Sequence, residues 1–337
     1  MDFISASTRQ YKANLHCHSN LSDGALTPQE LIRAYRQQGY SILAITDHEA
    51  PYDHSEHSSE DFLLLTGYEA YIRPSPLCKL DPLGPEIHLN LFAKEPHNTG
   101  FVGFDPNFCK YMPLELAGQR VKYGDLGPRR YNRDYIQRFI DLARDSGYLV
   151  SYNHPCWSME DPADVLSYDG FFSLEIFNTG SMTINGYEAN AALYDQFLRR
   201  GKMIYCHGAD DNHNKHPFGH CLCDSFGSWT MILAEELSYP AVIKALEQGR
   251  FYASTGPVIR SLRFEGERVS MDFEGAVRAC MHISPKRTQN VVEPDGSPIT
   301  HAEFTIPGDA PFVYFSLLGS RGEQARTHAF TRSELGL

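Results

Sequence analysis

The sequence has no excess of positive charge and no long apolar run. Its 337 residues include 30 Lys and Arg against 42 Asp and Glu, which gives a formal net charge of −12. An acidic chain repels a phosphate backbone, so we expect no nucleic-acid polymer as a partner. The apolar stretches fall short of the ~18 residues that cross a bilayer, so we expect no membrane partner either.

The sequence also lacks the features of secreted proteins. Its first residues, MDFISASTRQ, show no basic segment followed by an apolar one, so we expect no secretory signal. Eight cysteines lie at positions 17, 78, 109, 156, 206, 221, 223 and 280. Their spacing fits no disulfide framework, and we interpret them as mostly reduced thiols of a cytoplasmic protein. Histidine is plentiful by contrast, with 15 residues.

Seven short apolar runs predict buried strands. They cover residues 11–18, 41–48, 62–72, 86–93, 148–155, 173–178 and 202–211. Most are too evenly apolar for a half-exposed antiparallel sheet and favour a buried parallel one. Helices are predicted between several of them, the first beginning with the capping-box pattern of Thr27, Pro28 and Glu30. This alternation predicts a parallel α/β barrel.

Two regions depart from the alternation. Residues 95–133 are rich in Pro, Gly and aromatic residues without a clean period, which predicts a long insertion or lid. After residue 256 the helical patterns stop, and short alternating runs separated by Gly and Pro predict a small antiparallel β domain. We therefore predict a barrel domain at 1–256 and a β domain of unassigned role at 257–337.

Histidines and carboxylates recur in these strands, mostly near their C-terminal ends. The metal-ligand candidates are His16, His18, Asp23, His48, Glu69, His88, His154, Asp211 and His213. His16 and His18 in ANLHCHSNLSDG are two residues apart and so face the same side of a strand. Because the C-terminal ends of parallel strands converge on one rim, we expect these side chains to form one site.

Each candidate alone has an ordinary explanation. His88 is explained by a simple hydrogen bond, the pair His16 and His18 by a surface patch, and Glu69 by a solvated strand end. Together, however, buried imidazoles and carboxylates are costly unless a cation neutralises them. The set therefore favours a metal site over a chance cluster.

The ligand types narrow the metal chemistry. Imidazoles with carboxylates and no thiolate pair suit Zn, Mn or Fe(II) rather than a structural Cys₄ zinc. The candidates are too many for one ion, and Glu69 is the candidate that bridges two cations. A pair of ions generates a nucleophile from water at neutral pH, so hydrolysis is favoured over redox chemistry or group transfer.

Several motifs resemble those of the PHP (polymerase and histidinol phosphatase) superfamily of metal-dependent phosphoesterases. They are NLHCHSNLSDG, LAITDHE, TGYE, EIHLNLF, NHP and GADDNH, in that order over residues 14–213. The resemblance implies a distorted (β/α)₇ TIM-like barrel with two or three divalent ions. It implies a first metal held by His16, His18, Glu69 and Asp211, a second by Glu69, His88 and His154, and a third by Asp23, His48 and His213.

Two positions depart from the family pattern. Some three-metal members have histidine where this chain has Asp23, so Asp23 is either a weak ligand or a proton-transfer group. The last motif carries an additional Asp210. We assign the ligand to Asp211, because it is two residues before His213, and expect Asp210 to bond to backbone amides.

The substrate is less well defined by the sequence. We expect a small phosphomonoester or nucleotide, attacked by a metal-bridging hydroxide, with Asp23, His213 and Glu69 as catalytic residues. Arg129 and Arg130 could bind the phosphate or form a solvated basic turn, and His207 either lines the site or is simply buried.

Two alternatives to a phosphoesterase stay open. The segment ALEQGRFYASTGP with its β tail resembles PHP members related to the CehA/McbA hydrolases, which include enzymes acting on carbamate or ester bonds. A hydrolase of carboxylic esters, carbamates or amides would use the same metals. A non-catalytic metal-binding module acting through its β domain is the alternative from another class.

Overall fold

Strands form most of the regular structure in this computed structural model, which describes residues 1–74, 84–187, 189–284 and 286–337. The strands are β1 (Asp2–Ile4), β2 (Gln10–Asn14), β3 (Ile42–Ile45), β4 (Leu63–Ile72), β5 (Ile87–Ala93), β6 (Phe101–Val102), β7 (Lys122–Tyr123), β8 (Tyr148–Tyr152), β9 (Ser173–Asn178), β10 (Tyr205–Ala209), β11 (Trp229–Leu233), β12 (Phe251–Ser254), β13 (Val258–Glu265), β14 (Arg268–Ala276), β15 (Arg278–Ser284), β16 (Arg287–Val292), β17 (Ile299–Thr305), β18 (Phe312–Leu318), β19 (Gln324–Thr327) and β20 (Phe330–Thr331). The helices are α1 (Pro28–Gln37), α2 (Leu114–Gln119), α3 (Arg133–Asp145), α4 (Pro155–Ser158), α5 (Pro162–Val165), α6 (Thr179–Ile184), α7 (Ala191–Arg199), α8 (Tyr239–Glu247) and α9 (Arg332–Leu335), with a 3₁₀ turn at Ser55–His57. Among these residues, no helix combines the length and the apolar character that a membrane crossing requires.

Each of the seven predicted runs contains a strand, and these strands are neighbours in one sheet. Their order is β10-β9-β8-β5-β4-β3-β2. An isolated parallel bridge between Cys17 and Asn212 brings the residues after β2 beside those after β10. The hydrogen-bonded ladders do not close into a ring within the described residues, so the predicted barrel is not confirmed as a closed one.

The expectation of an all-parallel sheet is wrong at β5. This strand runs antiparallel to both of its neighbours, β4 and β8, with Ala70 opposite Leu89 and Leu91 opposite Val150. Every residue of β5 is buried, so the even apolar run that suggested a parallel strand reflects burial on both faces. The reversal places the N-terminal residues of β5 at the rim where its parallel neighbours end.

Helix α1 forms from a local sequence signal and contacts the end of β10. Its capping box forms as predicted, with the Thr27 hydroxyl accepting from the Glu30 amide and the Glu30 carboxylate accepting from the Thr27 amide. The apolar face then buries Leu31 and Tyr35 against the sheet. The Tyr35 hydroxyl lies 2.7 Å from Asp210 Oδ2, so the helix reaches the end of β10.

The C-terminal strands are antiparallel, as predicted. The large sheet continues as β11-β12-β19-β18-β15-β16, and β1-β13-β14-β17 forms a second sheet. Burial alternates along β14, and its inward side chains join those of the large sheet in one apolar core. Strands pair across residue 256, because β1 pairs with β13 and β12 with β19. The structure describes all cysteines except Cys78, which lies outside the described residues, and these seven are free thiols.

The region 95–133 carries the short strands β6 and β7, which pair in parallel, and helix α2. Its end is anchored by Arg129, whose guanidinium makes a bidentate ion pair with Glu49. Its middle reaches the cavity described below through Lys110 and Tyr111. The segment is therefore packed against the sheet at one end and exposed to the cavity at another.

Candidate metal centre

The nine predicted ligands come together at one rim of the sheet. His16 and His18 follow β2, and Asp211 and His213 follow β10, on either side of the bridge at Cys17 and Asn212. His48, Glu69 and His154 lie at or near the C-terminal ends of β3, β4 and β8. His88 is the second residue of β5 and reaches the same rim because that strand is reversed.

One group of four side chains surrounds a common point. The Nε2 atoms of His16 and His18 are 3.1 Å apart, and each lies 3.1 Å from Asp211 Oδ1. Glu69 completes the group, with Oε1 at 3.3 Å from His16 Nε2 and Oε2 at 3.4 Å from His18 Nε2. One atom of each residue lies within 4.8 Å of the others. This is the set expected for the first metal.

Glu69 also belongs to a second group. Its Oε1 lies 3.0 Å from His88 Nδ1 and 3.2 Å from His154 Nε2, while its Oε2 lies 3.0 Å from His48 Nδ1. The side chain is fully buried, so solvent screens none of these contacts. A carboxylate between two sets of imidazoles is what a bridging ligand requires, and the bridging role of Glu69 stays a prediction.

Asp23 is the centre of the third group. Its carboxylate lies 3.4 Å from His213 Nε2, 3.7 Å from His48 Nε2 and 3.8 Å from His18 Nδ1. The side chain is 33% exposed, whereas those of the first group are nearly or fully buried. The third group is therefore looser and closer to solvent than the first.

The buried carboxylates dominate the electrostatics of the rim. Burial alone lowers the pKa of His18, but the hydrogen bonds that its ring donates to Asp211 and Glu69 outweigh this effect and raise the pKa to about 10. Burial likewise opposes the effect of Glu69 on His88, and the carboxylate raises the pKa of His88 to about 10. Burial would raise the pKa of Glu69 itself, but the surrounding imidazoles hold it well below its usual value.

Several buried atoms at the rim fit a bound cation. His18 Nδ1 and His154 Nδ1 are buried without a hydrogen-bond partner in the described residues, and His48 Nδ1 and Glu69 Oε2, although 3.0 Å apart, are not aligned for a hydrogen bond. An unsatisfied buried polar atom costs about 1–3 kcal/mol, which a cation would offset at the carboxylate and at ring nitrogens facing it. The donor set of imidazoles and carboxylates suits Zn, Mn or Fe(II). The residues present therefore fit divalent metal ions.

Asp210 and Asp211 have different roles. The Asp210 carboxylate is fully buried among donors: the hydroxyls of Tyr35 and Thr179 and the amides of Phe226, Gly227 and Ser228. Asp211 has a positive φ of 53°, and its amide donates to the carbonyl oxygen of His16. Asp210 thus fixes the backbone, as the sequence suggested, and leaves the Asp211 carboxylate to face His16 and His18.

Glu175 is a residue of the site that sequence reasoning missed. It is fully buried in β9, and its Oε1 lies 3.2 Å from His16 Nδ1. Its Oε2 accepts from the His154 amide and from Asn178 Nδ2, which also donates to Asp211. The available signal was a carboxylate between Leu174 and Ile176 in an apolar run, which is costly without a partner.

The predicted substrate-binding residues are not brought to the cavity. Arg129 is buried with Glu49, and its guanidinium also donates to the carbonyl oxygen of Tyr71. Arg130 is exposed, and neither arginine belongs to the described lining of the cavity. His207 is fully buried with Nδ1 3.0 Å from Ser173 Oγ, and burial lowers its pKa to about 4. Of the two readings given for His207, the structure shows the buried one.

A cavity of about 870 Å³ opens over the cluster. Its described lining includes Asp23, His48, Glu69, His88, His154, Asp211 and His213. Cationic side chains line it as well, namely Arg73, Lys110 and Lys215. Trp157 and Tyr111 add aromatic surface next to the ligands, since Trp157 packs 4.9 Å from His88 and Tyr111 stacks 6.2 Å from His48. The site can hold a small ligand against both cations and aromatic rings.

Two solved structures resemble the chain at low identity. One is a two-domain protein from Bacteroides vulgatus described as containing a predicted PHP-like metal-dependent phosphoesterase, with 14% identity, a TM-score of 0.47 and coverage of 97% of this chain and 96% of that one. The other is an amidohydrolase from Chromobacterium violaceum with bound sulfate and no metal, with 17% identity, a TM-score of 0.40 and coverage of 71% and 96%.

Sequence similarity is stronger but local. A 5′-3′ exoribonuclease of Haemophilus influenzae is 42% identical over 62 residues, which is 17% of this chain and 23% of that protein. An error-prone DNA polymerase of Mycolicibacterium paratuberculosis is 32% identical over 131 residues, or 37% of this chain and 11% of the polymerase. The chain thus spans less than a quarter of either relative. The family model described as PHP domain matches residues 14–103. Residues 14–103 are therefore similar to the PHP domain.

Proposed function

We propose that the protein is a metal-dependent hydrolase, and specifically a phosphoesterase that cleaves a small phosphomonoester or nucleotide. The observation that carries the proposal is the convergence of nine imidazole and carboxylate side chains beneath a cavity of about 870 Å³. His16, His18, Glu69 and Asp211 would hold one ion, and Glu69, His88 and His154 a second. Bound divalent cations would polarise the ester and activate the attacking water.

We infer that Asp23 and His213 transfer the proton in this reaction. A carbonyl oxygen only accepts, so the contact of His213 Nδ1 with the carbonyl oxygen of Asp211, at 3.1 Å, puts a hydrogen on Nδ1. Its Nε2 then faces Asp23 at 3.4 Å and is the atom that holds or releases a proton. Both side chains line the cavity, so the pair can protonate the leaving oxygen of a bound ester.

Two observations favour a phosphoester over a carboxylic ester, carbamate or amide. The cations of Arg73, Lys110 and Lys215 line the cavity and suit a dianionic group better than a neutral ester. The exoribonuclease that resembles this chain over 62 residues acts on a nucleic acid, whose linkages are phosphodiesters. The size of the cavity favours a small substrate over a polymer.

A paired assay tests the proposal. Hydrolysis of p-nitrophenyl phosphate and of p-nitrophenyl acetate is followed with added Mn²⁺, in the unchanged protein and in the Glu69→Gln variant. We expect phosphate release that the variant lacks. Cleavage of the acetate alone would overturn the phosphoesterase and favour the carboxylic ester hydrolase. Cleavage of neither, with no transition metal in the purified protein and none taken up, would favour a non-catalytic module.

A further inference from the structure

Part of the lining of the cavity is apolar and exposed to solvent. Trp157, Met159, Ile184 and Tyr187 line the cavity and are 38%, 43%, 48% and 39% exposed. We call these four residues the apolar wall. The described residues include twelve exposed large apolar side chains in all, so a third of them border this one cavity. Grouped apolar exposure at a cavity typically marks a surface that a ligand covers.

The apolar wall begins beside the metal ligands. Helix α4 starts at Pro155, immediately after His154, so Trp157 is three residues from a candidate ligand. The Trp157 ring lies 4.9 Å from the ring of His88 and 5.2 Å from that of His154. A group bonded to an ester oxygen at the centre would therefore lie close to Trp157.

The second part of the apolar wall is attached to the same centre. Helix α6 carries Ile184, and its start is capped by Asn178, whose side chain also donates to Asp211 Oδ2. The Gly180 amide donates to the carbonyl oxygen of Asp210, and a Cβ at Gly180 would lie only 2.8 Å from the carbonyl oxygen of Asp211. Glycine thus lets α6 approach the ligand loop closely, which fixes the apolar wall relative to the metal site.

The polar lining comes from other segments of the chain. Arg73 follows β4, Lys110 belongs to the region 95–133, and Lys215 follows β10, where its Nζ donates to the carbonyl oxygen of Asp23. The apolar wall comes from residues 157–187. The cavity therefore offers cations and metal ligands to an anionic group, and aromatic and aliphatic surface to an apolar group.

We propose that the apolar wall binds the leaving group of the substrate, which is the ester of an apolar or aromatic alcohol. This proposal rests on the hydrolase function proposed above and names its substrate class. In the reaction, water forms the new bond to phosphorus, the bond from phosphorus to the alcohol oxygen breaks, and the alcohol leaves with a proton. The apolar part of the alcohol stays against Trp157 and Ile184 throughout.

Two phosphate esters with equally basic leaving groups test the proposal. Ethyl phosphate and 2-phenylethyl phosphate both release a primary alkanol and differ by one phenyl ring. We expect kcat/KM to be at least about tenfold higher for the phenylethyl ester, since even one additional methylene in an apolar pocket is worth about 10–200-fold. In Ile184→Ser and Tyr187→Ser this preference should fall several-fold. Val292→Ser is the matched control, because Val292 is 50% exposed but lies on β16.

A binding measurement separates this proposal from the proposed function. Propylphosphonate and 3-phenylpropylphosphonate cannot be hydrolysed, and calorimetry should show the phenyl compound binding about tenfold more tightly, with the advantage reduced in Ile184→Ser but not in Val292→Ser. If neither the two phosphate esters nor the corresponding acetates are cleaved, the proposed hydrolase function is wrong. The affinities of the two phosphonates would still show whether the apolar wall binds an apolar group. Equal affinity of the two phosphonates, or equal kcat/KM for the two esters, would overturn the proposed substrate class.

Discussion

Two buried histidines, His18 at the metal centre and His328 in the C-terminal sheets, have pKa values shifted in opposite directions. At the metal centre, Asp211 and Glu69 overcome burial and raise the pKa of His18 to about 10. In the C-terminal sheets, burial and the charge of Arg250 together lower the pKa of His328 to about 3. Burial also lowers the pKa of His282 to about 4, with Arg326 and Arg278 acting in the same direction.

The difference in pKa shows which charge state of a buried imidazole each region stabilises. Burial disfavours a charged imidazole everywhere, so the neutral histidines of the C-terminal sheets act as part of an apolar core. At the rim, the buried carboxylates reverse that effect and stabilise positive charge. Protons and divalent cations are both attracted by the negative charge of these carboxylates. The carboxylates that raise the pKa of His18 and His88 therefore also attract metal ions.

Removing the central carboxylate should have the largest effect. Glu69→Gln keeps the shape of the side chain but removes the charge that faces His16, His48 and His88. We expect bound metal to fall by at least one ion per chain, and kcat/KM to fall at least about a thousandfold. Elemental analysis and the phosphate assay measure both quantities.

Glu160→Gln is the matched control for this change. Glu160 is another buried carboxyl, but it accepts hydrogen bonds from Tyr131 and Tyr152, and burial raises its pKa to about 7. The neutral amide resembles its protonated form, so metal content and activity should stay close to those of the unchanged protein. A variant at Glu69 that retained its full metal content would contradict the bridging role.

Two arginine ion pairs, one in each region, should contribute differently to the free energy of unfolding. Arg129 and Glu49 form a fully buried pair, whereas Arg260 and Glu274 pair on the exposed face of the C-terminal strands with both side chains more than half exposed. Arg129→Met should lower the free energy of unfolding by about 3–5 kcal/mol, because it leaves a buried carboxylate unpaired. Arg260→Met should cost no more than about 1 kcal/mol.

Urea unfolding measures both changes in one series. The same variants decide between the anchoring role seen in the structure and the phosphate-binding role predicted from the sequence for Arg129. A loss of stability with kcat/KM preserved in the folded fraction supports an anchor for the region 95–133. A large loss of kcat/KM with unchanged stability would instead restore the substrate-binding role expected from the sequence.

Glu175 should have an intermediate effect, because it acts through His16 and not as a direct ligand of the four-residue group. A carboxylate that accepts from the outer nitrogen of a ligating histidine fixes the ring and raises its basicity, and its loss costs about 10–100-fold in metal affinity. We expect that loss in Glu175→Gln, measured by competition with a chelator. Glu175→Asp should recover part of it, and a purely structural role would instead lower stability without changing metal affinity.

The sequence predicts which side chains meet at the rim better than it predicts the architecture around them. His16 and His18 were recognisable because a two-residue spacing in a strand fixes a common side, and the same spacing selected Asp211 over Asp210. The reversal of β5 was not recognisable, because burial on both faces gives the same apolar run in either direction. His88 was nonetheless assigned correctly to the rim, since reversal moves the start of the strand to that end.

The ion pair of Arg129 and the contact of Glu175 were not predicted from the sequence, and both omissions have the same physical cause. Arg129 and Arg130 are adjacent in sequence, yet one is buried in an ion pair with Glu49 and the other is exposed. Nothing local distinguishes them, because the partner of Arg129 is 80 residues away in the chain. Glu175 was missed for the same reason, since its partner His16 is 159 residues distant. Short-range patterns identify strands and ligand pairs, whereas tertiary partners decide what a charged residue does.

The most gradual expected effect is the acid sensitivity caused by His328. Its ring packs among those of Phe3, Tyr205 and Phe330, and its pKa of about 3 lies below the usual value of 6.5. The unfolded chain therefore binds more protons between these values, so the stabilisation is complete above pH 6.5 and is lost as the pH falls towards 3. His328→Phe should remove a slope of about 1.4 kcal/mol per pH unit. Urea unfolding of both proteins at pH 5.5 and 4.5 measures it, and contributions from other groups cancel in the difference. Parallel pH dependence in the two proteins would mean that His328 takes up a proton as easily in the folded state as in the unfolded chain.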